Sequence, residues 1–523
     1  MVLGHGHRRH SLTSNRSSVD ETRGDDVTKE DETVVDSEQG NVLMHIISQL
    51  RPGADLSRVT LPTFILEPRS MLERITNFMA HPEIMLPITK IEDPVERFVA
   101  VVKFYLSGWH IKPPGVKKPL NPILGETFTG YWDYSDGTRG YYISEQTSHH
   151  PPKSSYFFMA PEHHIRIDGT LKPRSKFLGN SAASMMEGIA VMRFLNTGER
   201  FFVTQPNMYA RGILFGKMKY ELGDHSFVRC PETGLSADLE FKTKGYFGGT
   251  YNAIGGFIKD KNDKHLYEMS GLWNEEMWIK DLTTGKRELL FDATHAKHTP
   301  PKARPLEEQD ERESQKLWSN VTQAILRKDH EGATDEKSRI EDMQREEAAK
   351  RMNDGVDWHP QLFRRVQGGQ NGSEEGEEDL DWIINAKVDG KTPQDQIKQI
   401  LQIAAILPGQ APRRHFSIPS RNVSLDRIPT RQSIADTKAE SHQAPEQETI
   451  GDLIDLSDPV PQPPPMEPKK SKTPVEVKAE QQRGIPPSKL LHSTPQQPPE
   501  NTAALKRHDT ETNEEDEFHD AHS

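Results

Sequence analysis

The chain has 523 residues, of which 33% are hydrophobic, 28% are charged and 38 are proline, so much of it lacks the apolar surface needed to pay for ordering. A formal net charge of −13 excludes a general nucleic-acid binder, which needs a net basic surface. One cysteine, Cys230, excludes a disulfide framework and any zinc site built on paired thiolates.

Residues 1–40 are polar and close with an acidic run containing Glu30, Asp31, Glu32, Asp36 and Glu38; with no core periodicity, this segment is expected to be disordered. It also lacks an apolar signal region, and no later run is long enough to cross a bilayer. A cytosolic chain with peripheral membrane contact is therefore expected. Within 41–60, Val42, Leu43, Ile46, Ile47 and Leu50 recur at helical spacing. Such a helix either docks on the core or serves as a mobile lid. Leu61, Pro62, Thr63, Phe64, Ile65 and Leu66 are too short and too proline-marked for a helix and predict extended chain on an apolar surface.

Two helices follow. Leu72, Ile75, Phe78 and Met79 share one face of the first. The second has a complete start signal: Asp93 as cap, Pro94 in the first turn, Glu96 three residues after the cap. Val95, Phe98, Val99, Val102, Tyr105 and Leu106 hold its period, and Gly108 ends it.

From about residue 127 to 291 the pattern changes to strands. Ile165, Arg166, Ile167 and Asp168 alternate, and turns are signalled at Asp136-Gly137, at Asn196-Thr197-Gly198 and at Thr283-Thr284-Gly285. So many strands without helical crossovers predict a mainly β (α+β) protein with a large antiparallel sheet that curls or closes. A barrel that wide cannot be filled by its own side chains and encloses a cavity. After Pro305 helices return, with Leu317, Val321, Ala324 and Ile325 on one face and a charged helix over about 335–351. Order is expected over 41–366, and disorder over 367–523 apart from a short helix at about 395–406.

The most specific string is Glu145-Gln146-Thr147-Ser148-His149-His150-Pro151-Pro152. A metal site would need further ligands, and no carboxylate or thiol lies at ligand spacing nearby. The Pro-Pro pair is expected to hold the backbone extended. Two adjacent histidines can offer several N–H donors to one anion, which suits a phosphate monoester. A hydrolase could use either as a base, yet no nucleophile motif accompanies them, and Ser148 beside His149 is not a triad.

This string resembles the signature of the oxysterol-binding-protein-related family, Glu-Gln-x-Ser-His-His-Pro-Pro, and the stretch from Lys117 to Glu126 resembles that family's second hallmark. The resemblance implies a near-complete antiparallel β-barrel around a lipid tunnel, with an N-terminal lid helix (41–60) and flanking helices. It implies that phosphatidylinositol 4-phosphate is held by Lys118, Asn121, His149, His150, Lys337, Glu341 and Arg345. The last three are spaced by four, within about an 80° arc of one helix, and Glu341 is expected to pair with both cations. No catalytic residue, cofactor or metal is implied.

The segment from Leu61 to Glu67 resembles the phosphatidylserine-carrying branch more than the sterol carriers, which implies contacts to that lipid from Leu61, Thr63, Ile65 and Ser175. A sterol carrier or sensor of the same fold is the alternative. No pleckstrin-type segment is recognisable, as in the shorter members. Residues 514–523 resemble the acidic-tract motif that docks on VAP-type receptors of the endoplasmic reticulum, through Glu517, Phe518, Asp520 and Ala521, with His519 where the motif has a second Phe. The implied role is exchange of phosphatidylserine for phosphatidylinositol 4-phosphate between endoplasmic reticulum and plasma membrane, on anionic membranes at their contact sites.

Overall fold

A computed structural model of the chain describes residues 32–34, 37–56, 59, 61–215, 217–245, 249–366 and 380–410. The first apolar-periodic stretch is helix α1 (Ser37–Ser48). It buries Leu43 and Ile47 against Leu56, Phe177, Ile213 and Met218, with Leu50 packed beside them. Val42, expected on that face, is 48% exposed: it lies about 90° from the centre of the buried stripe. The Leu61 to Leu66 stretch is not wholly extended. Thr63–Ile65 makes one 3-10 turn, after which β2 (Leu66–Ser70) pairs in parallel with β3 (Lys118–Leu120).

Helix α2 (Pro94–Ser107) starts as its sequence predicts. The Asp93 carboxylate accepts the backbone N–H groups of Val95 and Glu96, both at 2.8 Å. Its Phe98, Val101, Val102, Tyr105 and Leu106 are buried. Arg97 is buried too, in a bidentate pair with Glu199 at 2.6 and 2.7 Å.

The strands are β4 (Thr127–Asp133), β5 (Arg139–Ser148), β6 (Lys153–Ala160), β7 (Ile165–Phe177), β8 (Ser181–Phe194), β9 (Glu199–Val203), β10 (Asn207–Arg211), β11 (Lys217–Cys230), β12 (Leu235–Lys242), β13 (Ala253–Lys259), β14 (His265–Leu272), β15 (Glu276–Asp281) and β16 (Arg287–Asp292). They run antiparallel in the order 4-5-6-7-8-10-11-12-13-14-15-16. β9 bridges β8 and β11, and β1 (Glu32–Val34) adds to β11, making fourteen strands. Gly188 (φ +120°) marks a point where β8 crowds β7: a Cβ there would sit 2.0 Å from the Thr170 carbonyl oxygen.

β16 and β4 do not pair, so the barrel is near-complete rather than closed. The free edge of β4 is covered by the chain that follows β16. Tyr131 and Lys302 exchange backbone hydrogen bonds at 2.9 and 2.8 Å, and Thr127 N–H donates to the Arg312 carbonyl at 3.0 Å. Beyond this lie α3 (Ser319–Leu326) and the long α4 (His330–Asp354), which ends at Gly355.

Order does not stop at residue 366. Phe363–Arg365 (β17) pairs with Trp382–Ile384 (β18), and α5 (Pro393–Ile403) follows. Trp382, Ile384, Ile400, Ile403 and Ile406 cover Tyr131, Tyr141, Ile143, Phe157 and Met159 on β4, β5 and β6. The expected disorder of everything after 366 outside a short helix is thus corrected for 380–410. The signal was present: Tyr141-Tyr142-Ile143 and Tyr156-Phe157-Phe158-Met159 are continuous apolar runs, and a strand that is apolar on both faces needs a second layer.

Candidate lipid-headgroup site

The barrel holds a cavity with about 1990 Å³ of empty volume, counting its open mouth. Leu43, Ile46 and Ile47 of α1, with Leu50 just after it, form one side, Met186, Met208 and Tyr220 the strand wall, and Lys117, Lys118, Asn121, His149 and His150 contribute polar lining. A long apolar space with cations gathered at one part of its wall matches a lipid with an anionic head.

Both hallmark strings are anchored through buried carboxylates that point away from the cavity. Glu126 accepts from Ser70 Oγ, from Ser314 Oγ at 2.6 Å, from Trp318 Nε1 at 2.9 Å and from Ile123 N–H at 3.0 Å. Burial pushes its pKa up, and those four donors oppose the shift. Glu145 is fully buried and accepts the N–H groups of Gln361 (2.8 Å) and Leu362 (2.7 Å), which ties β5 to the chain leaving α4. Gly125 (φ +76°) lies under Trp358, whose ring would meet a Cβ at 2.4 Å.

The signature histidines sit in the reversal between β5 and β6. Ser148 pairs with Lys153 across the sheet, so residues 149–152 must turn the chain, and the His150–Pro151 peptide bond is cis. The expected extended backbone is corrected accordingly. The two imidazoles stand 4.5 Å apart, with His150 exposed. His149 is engaged at both nitrogens: Nδ1–H donates to the Pro122 carbonyl (3.2 Å), and Nε2 accepts from Gln344 Nε2 (2.6 Å). Burial, and then the charge of His150, push its pKa down to about 4. As these side chains stand, His150 alone of the pair has ring nitrogens available to an anion, fewer donors than the tandem motif promised.

Lys118 is pushed down in pKa by burial and then by the positive charge of Lys337 on α4, with Asp55 and Glu341 opposing. The positive charge of Lys337 thus bears on a sheltered Lys118, although Lys337, Glu341 and Arg345 are not themselves among the residues lining the cavity. Lys337 Nζ donates to Glu341 at 2.6 Å. Glu341 does not hold both cations, however: Arg345 pairs with Asp342 and its side chain is 59% exposed. Asn121, which is exposed, lines the cavity, as do Leu61, Ile65 and Ser175. Thr63 is not among the lining residues; its hydroxyl donates to the His330 carbonyl at 3.3 Å, at the start of α4. Glu517, Phe518, Asp520 and Ala521 lie outside the described residues.

Gln344 is the residue that sequence reasoning missed. Helix arithmetic signals it: Gln344 is seven residues from Lys337, about 20° away around α4, whereas Arg345 is about 80° away. Among the described residues no helix is long and apolar enough to cross a membrane, and no His, Cys, Asp and Glu cluster is arranged to hold a metal.

A near-complete antiparallel barrel with an apolar cavity, a flanking helix along it and a basic lining defines a lipid-carrying protein. Residues 45–325 match the family described as oxysterol-binding protein. The chain is 51% identical over 421 residues to oxysterol-binding protein homolog 6 of Saccharomyces cerevisiae, covering 78% of this chain and 91% of that one. It is 54% identical over 392 residues to homolog 7 of the same yeast, covering 73% and 87%. The chain belongs to the oxysterol-binding protein family, whose members are lipid-transfer proteins and not enzymes. The fold is shared with the Osh1 ORD domain solved with cholesterol (19% identity, TM-score 0.57, 74% of this chain and 98% of that one). It is also shared with the Osh3 ORD of Saccharomyces cerevisiae solved with PI(4)P (21% identity, TM-score 0.50, 70% and 93%).

Proposed function

We propose that this protein exchanges phosphatidylserine for phosphatidylinositol 4-phosphate between the endoplasmic reticulum and the plasma membrane. The observation that carries the reading is the gathering of Lys117, Lys118 and Asn121 beside the His149–His150 turn, at one part of a mostly apolar cavity, with the charge of Lys337 on α4 bearing on Lys118 from behind the lining. A phosphomonoester offers those groups charge and acceptor oxygens together, and a neutral sterol offers neither. Asn121 is the hydrogen-bonding neighbour, Lys337 is oriented by Glu341, and Arg345 is a peripheral cation of the same helix. Leu61, Ile65 and Ser175, all on the cavity wall, suit phosphatidylserine; Thr63 acts through the start of α4 rather than by touching lipid.

Exposing two acyl chains of roughly thirty methylenes to water would cost over 20 kcal/mol, so transport requires enclosure. α1 is the lid: its buried face is part of the cavity wall, and displacing it would open the wall along Leu43 and Ile47. Peripheral docking on anionic leaflets, with a VAP-type receptor reached through Glu517, Phe518, Asp520 and Ala521, would hold the carrier at contact sites. The second reading, a sterol in place of phosphatidylserine, draws support from the cholesterol bound to the Osh1 relative.

Mass spectrometry of lipids co-purified from cells, with transfer between liposomes, tests the proposal. Phosphatidylserine and phosphatidylinositol 4-phosphate should be recovered chemically unchanged, and the double substitution His149→Ala with His150→Ala should abolish uptake of the phosphoinositide while phosphatidylserine is still carried. Intact phosphoinositide uptake by that variant would end the reading, and recovery of sterol alone would replace it with the second.

A further inference from the structure

Three hydrogen bonds run in series through the candidate site. Leu124 N–H donates to Gln344 Oε1 (2.9 Å), Gln344 Nε2 donates to His149 Nε2 (2.6 Å), and His149 Nδ1–H donates to the Pro122 carbonyl (3.2 Å). The direction of this chain is set at both ends. A backbone N–H can only donate, so the Gln344 oxygen faces Leu124 and its NH₂ faces the imidazole; a carbonyl can only accept, so the imidazole hydrogen is on Nδ1. Gln344 is 8% exposed, so water does not readily replace either of its partners. The chain joins α4 to both hallmark strings: Pro122 and Leu124 belong to one, His149 to the other.

We propose that Gln344 is a positioning residue that sets lipid selectivity: it holds His149 as a neutral acceptor, so that only a headgroup able to displace the Gln344 amide and leave a proton on Nε2 recruits the second histidine. This rests on the reading above that a phosphate-bearing head sits at His149 and His150. A dianionic phosphomonoester is such a head, because it supplies a strong acceptor and favours the imidazolium. A headgroup whose only phosphate is a phosphodiester carries one charge there and leaves the chain of three bonds intact. The Gln344 amide on α4 thus offsets part of the preference for a phosphomonoester that the histidines and the cations facing the lipid create, and so sets how large that preference is. His150 is the group whose charge bears on His149, and it disfavours a second positive charge beside it. The Gln344 amide adds to that resistance by occupying Nε2.

Two variants test this in the full chain. Gln344→Met removes the donor at similar volume, and Gln344→Glu keeps an acceptor for Leu124 N–H while turning the partner of Nε2 into an acceptor. Imidazole nitrogen and carbon NMR of the lipid-free protein reads His149 directly. In the parent the ring should be the Nδ1–H tautomer throughout the neutral range; in Gln344→Glu it should carry a proton on Nε2 and titrate at least about one pH unit higher, a tenfold change in the protonation equilibrium. With liposomes containing both lipids, Gln344→Met should raise the ratio of phosphatidylinositol 4-phosphate to phosphatidylserine extracted by about tenfold. An unchanged tautomer and titration in Gln344→Glu overturns the proposal, and so does an unchanged extraction ratio in folded Gln344→Met. If His149 responds as expected by NMR while His149→Ala with His150→Ala leaves phosphoinositide uptake intact, the headgroup reading has failed and the internal hydrogen-bond chain has not; selectivity through Gln344 is then overturned with that reading.

Discussion

Substituting Glu145 by Gln should change how stability depends on pH, in a direction opposite to that of an ordinary paired carboxylate. Glu145 is fully buried on β5 and is pushed up from 4.5 to about 7, because burial outweighs the backbone N–H groups of Gln361 and Leu362 that favour its charge. A raised folded-state pKa means that the folded chain holds the proton more tightly than the unfolded one. The contribution is fully present below the unfolded value and is lost as pH rises through the folded value. The rise from 4.5 to about 7 corresponds to about 3 kcal/mol, lost as pH climbs between those two values. Glutamine cannot ionise, so the variant lacks this slope. It also leaves one of the two N–H groups poorly matched, which should lower its stability at the acid end by about 1–2 kcal/mol.

His110 and His149 work in the other sense. Both are pushed down to about 4, mainly by burial, so stability rises with pH from about 4 towards the ordinary histidine value. Comparing parent and variant cancels that background. Urea unfolding followed by tryptophan fluorescence, in steps from about pH 5 to about pH 8, should show the parent ahead at the acid end and the difference shrinking or reversing by the alkaline end. Curves that stay parallel across that range would refute the assignment of Glu145 as a buried, largely protonated anchor.

Two further outcomes concern the packing. A chain ending at residue 366 should unfold or aggregate, whereas one ending at residue 410 should keep its stability: removing Trp382, Ile384, Ile400, Ile403 and Ile406, at about 2 kcal/mol each, forfeits an upper bound of about 10 kcal/mol and bares the outer face of β4–β6. Equal melting temperatures for the two truncations would contradict this. Arg97→Ala should destabilise by about 3–5 kcal/mol in denaturant titrations, because it strands the buried Glu199 carboxylate, and Arg97→Met with Glu199→Leu should recover most of the loss. A single variant no worse than the double one would show that the pair is not desolvated.

Much of the frame was legible in the residues. Asp93 and Pro94 specify the start of α2 within three positions of themselves, and strand alternation with glycine turns specifies an antiparallel sheet too large to fill its own centre. The two hallmark strings marked residues that the fold brings to one cavity wall, Lys118 and Asn121 from one and His149 and His150 from the other. These signals are local: capping, pleat and turn chemistry act between neighbours, so sequence order carries them intact. What tertiary structure decided lies between distant positions. Gln344 meets His149 across 195 residues and Glu145 meets Leu362 across 217. Likewise Thr63 turns to His330 while Leu61 and Ile65 face the cavity, and Arg345 leaves Glu341 for Asp342. A hydrogen bond between residues so far apart has no periodicity to betray it, and which of several polar side chains on a helix reaches the ligand depends on how that helix is rolled against the barrel. That roll is set by the packing of whole elements, and no single stretch of the chain contains it.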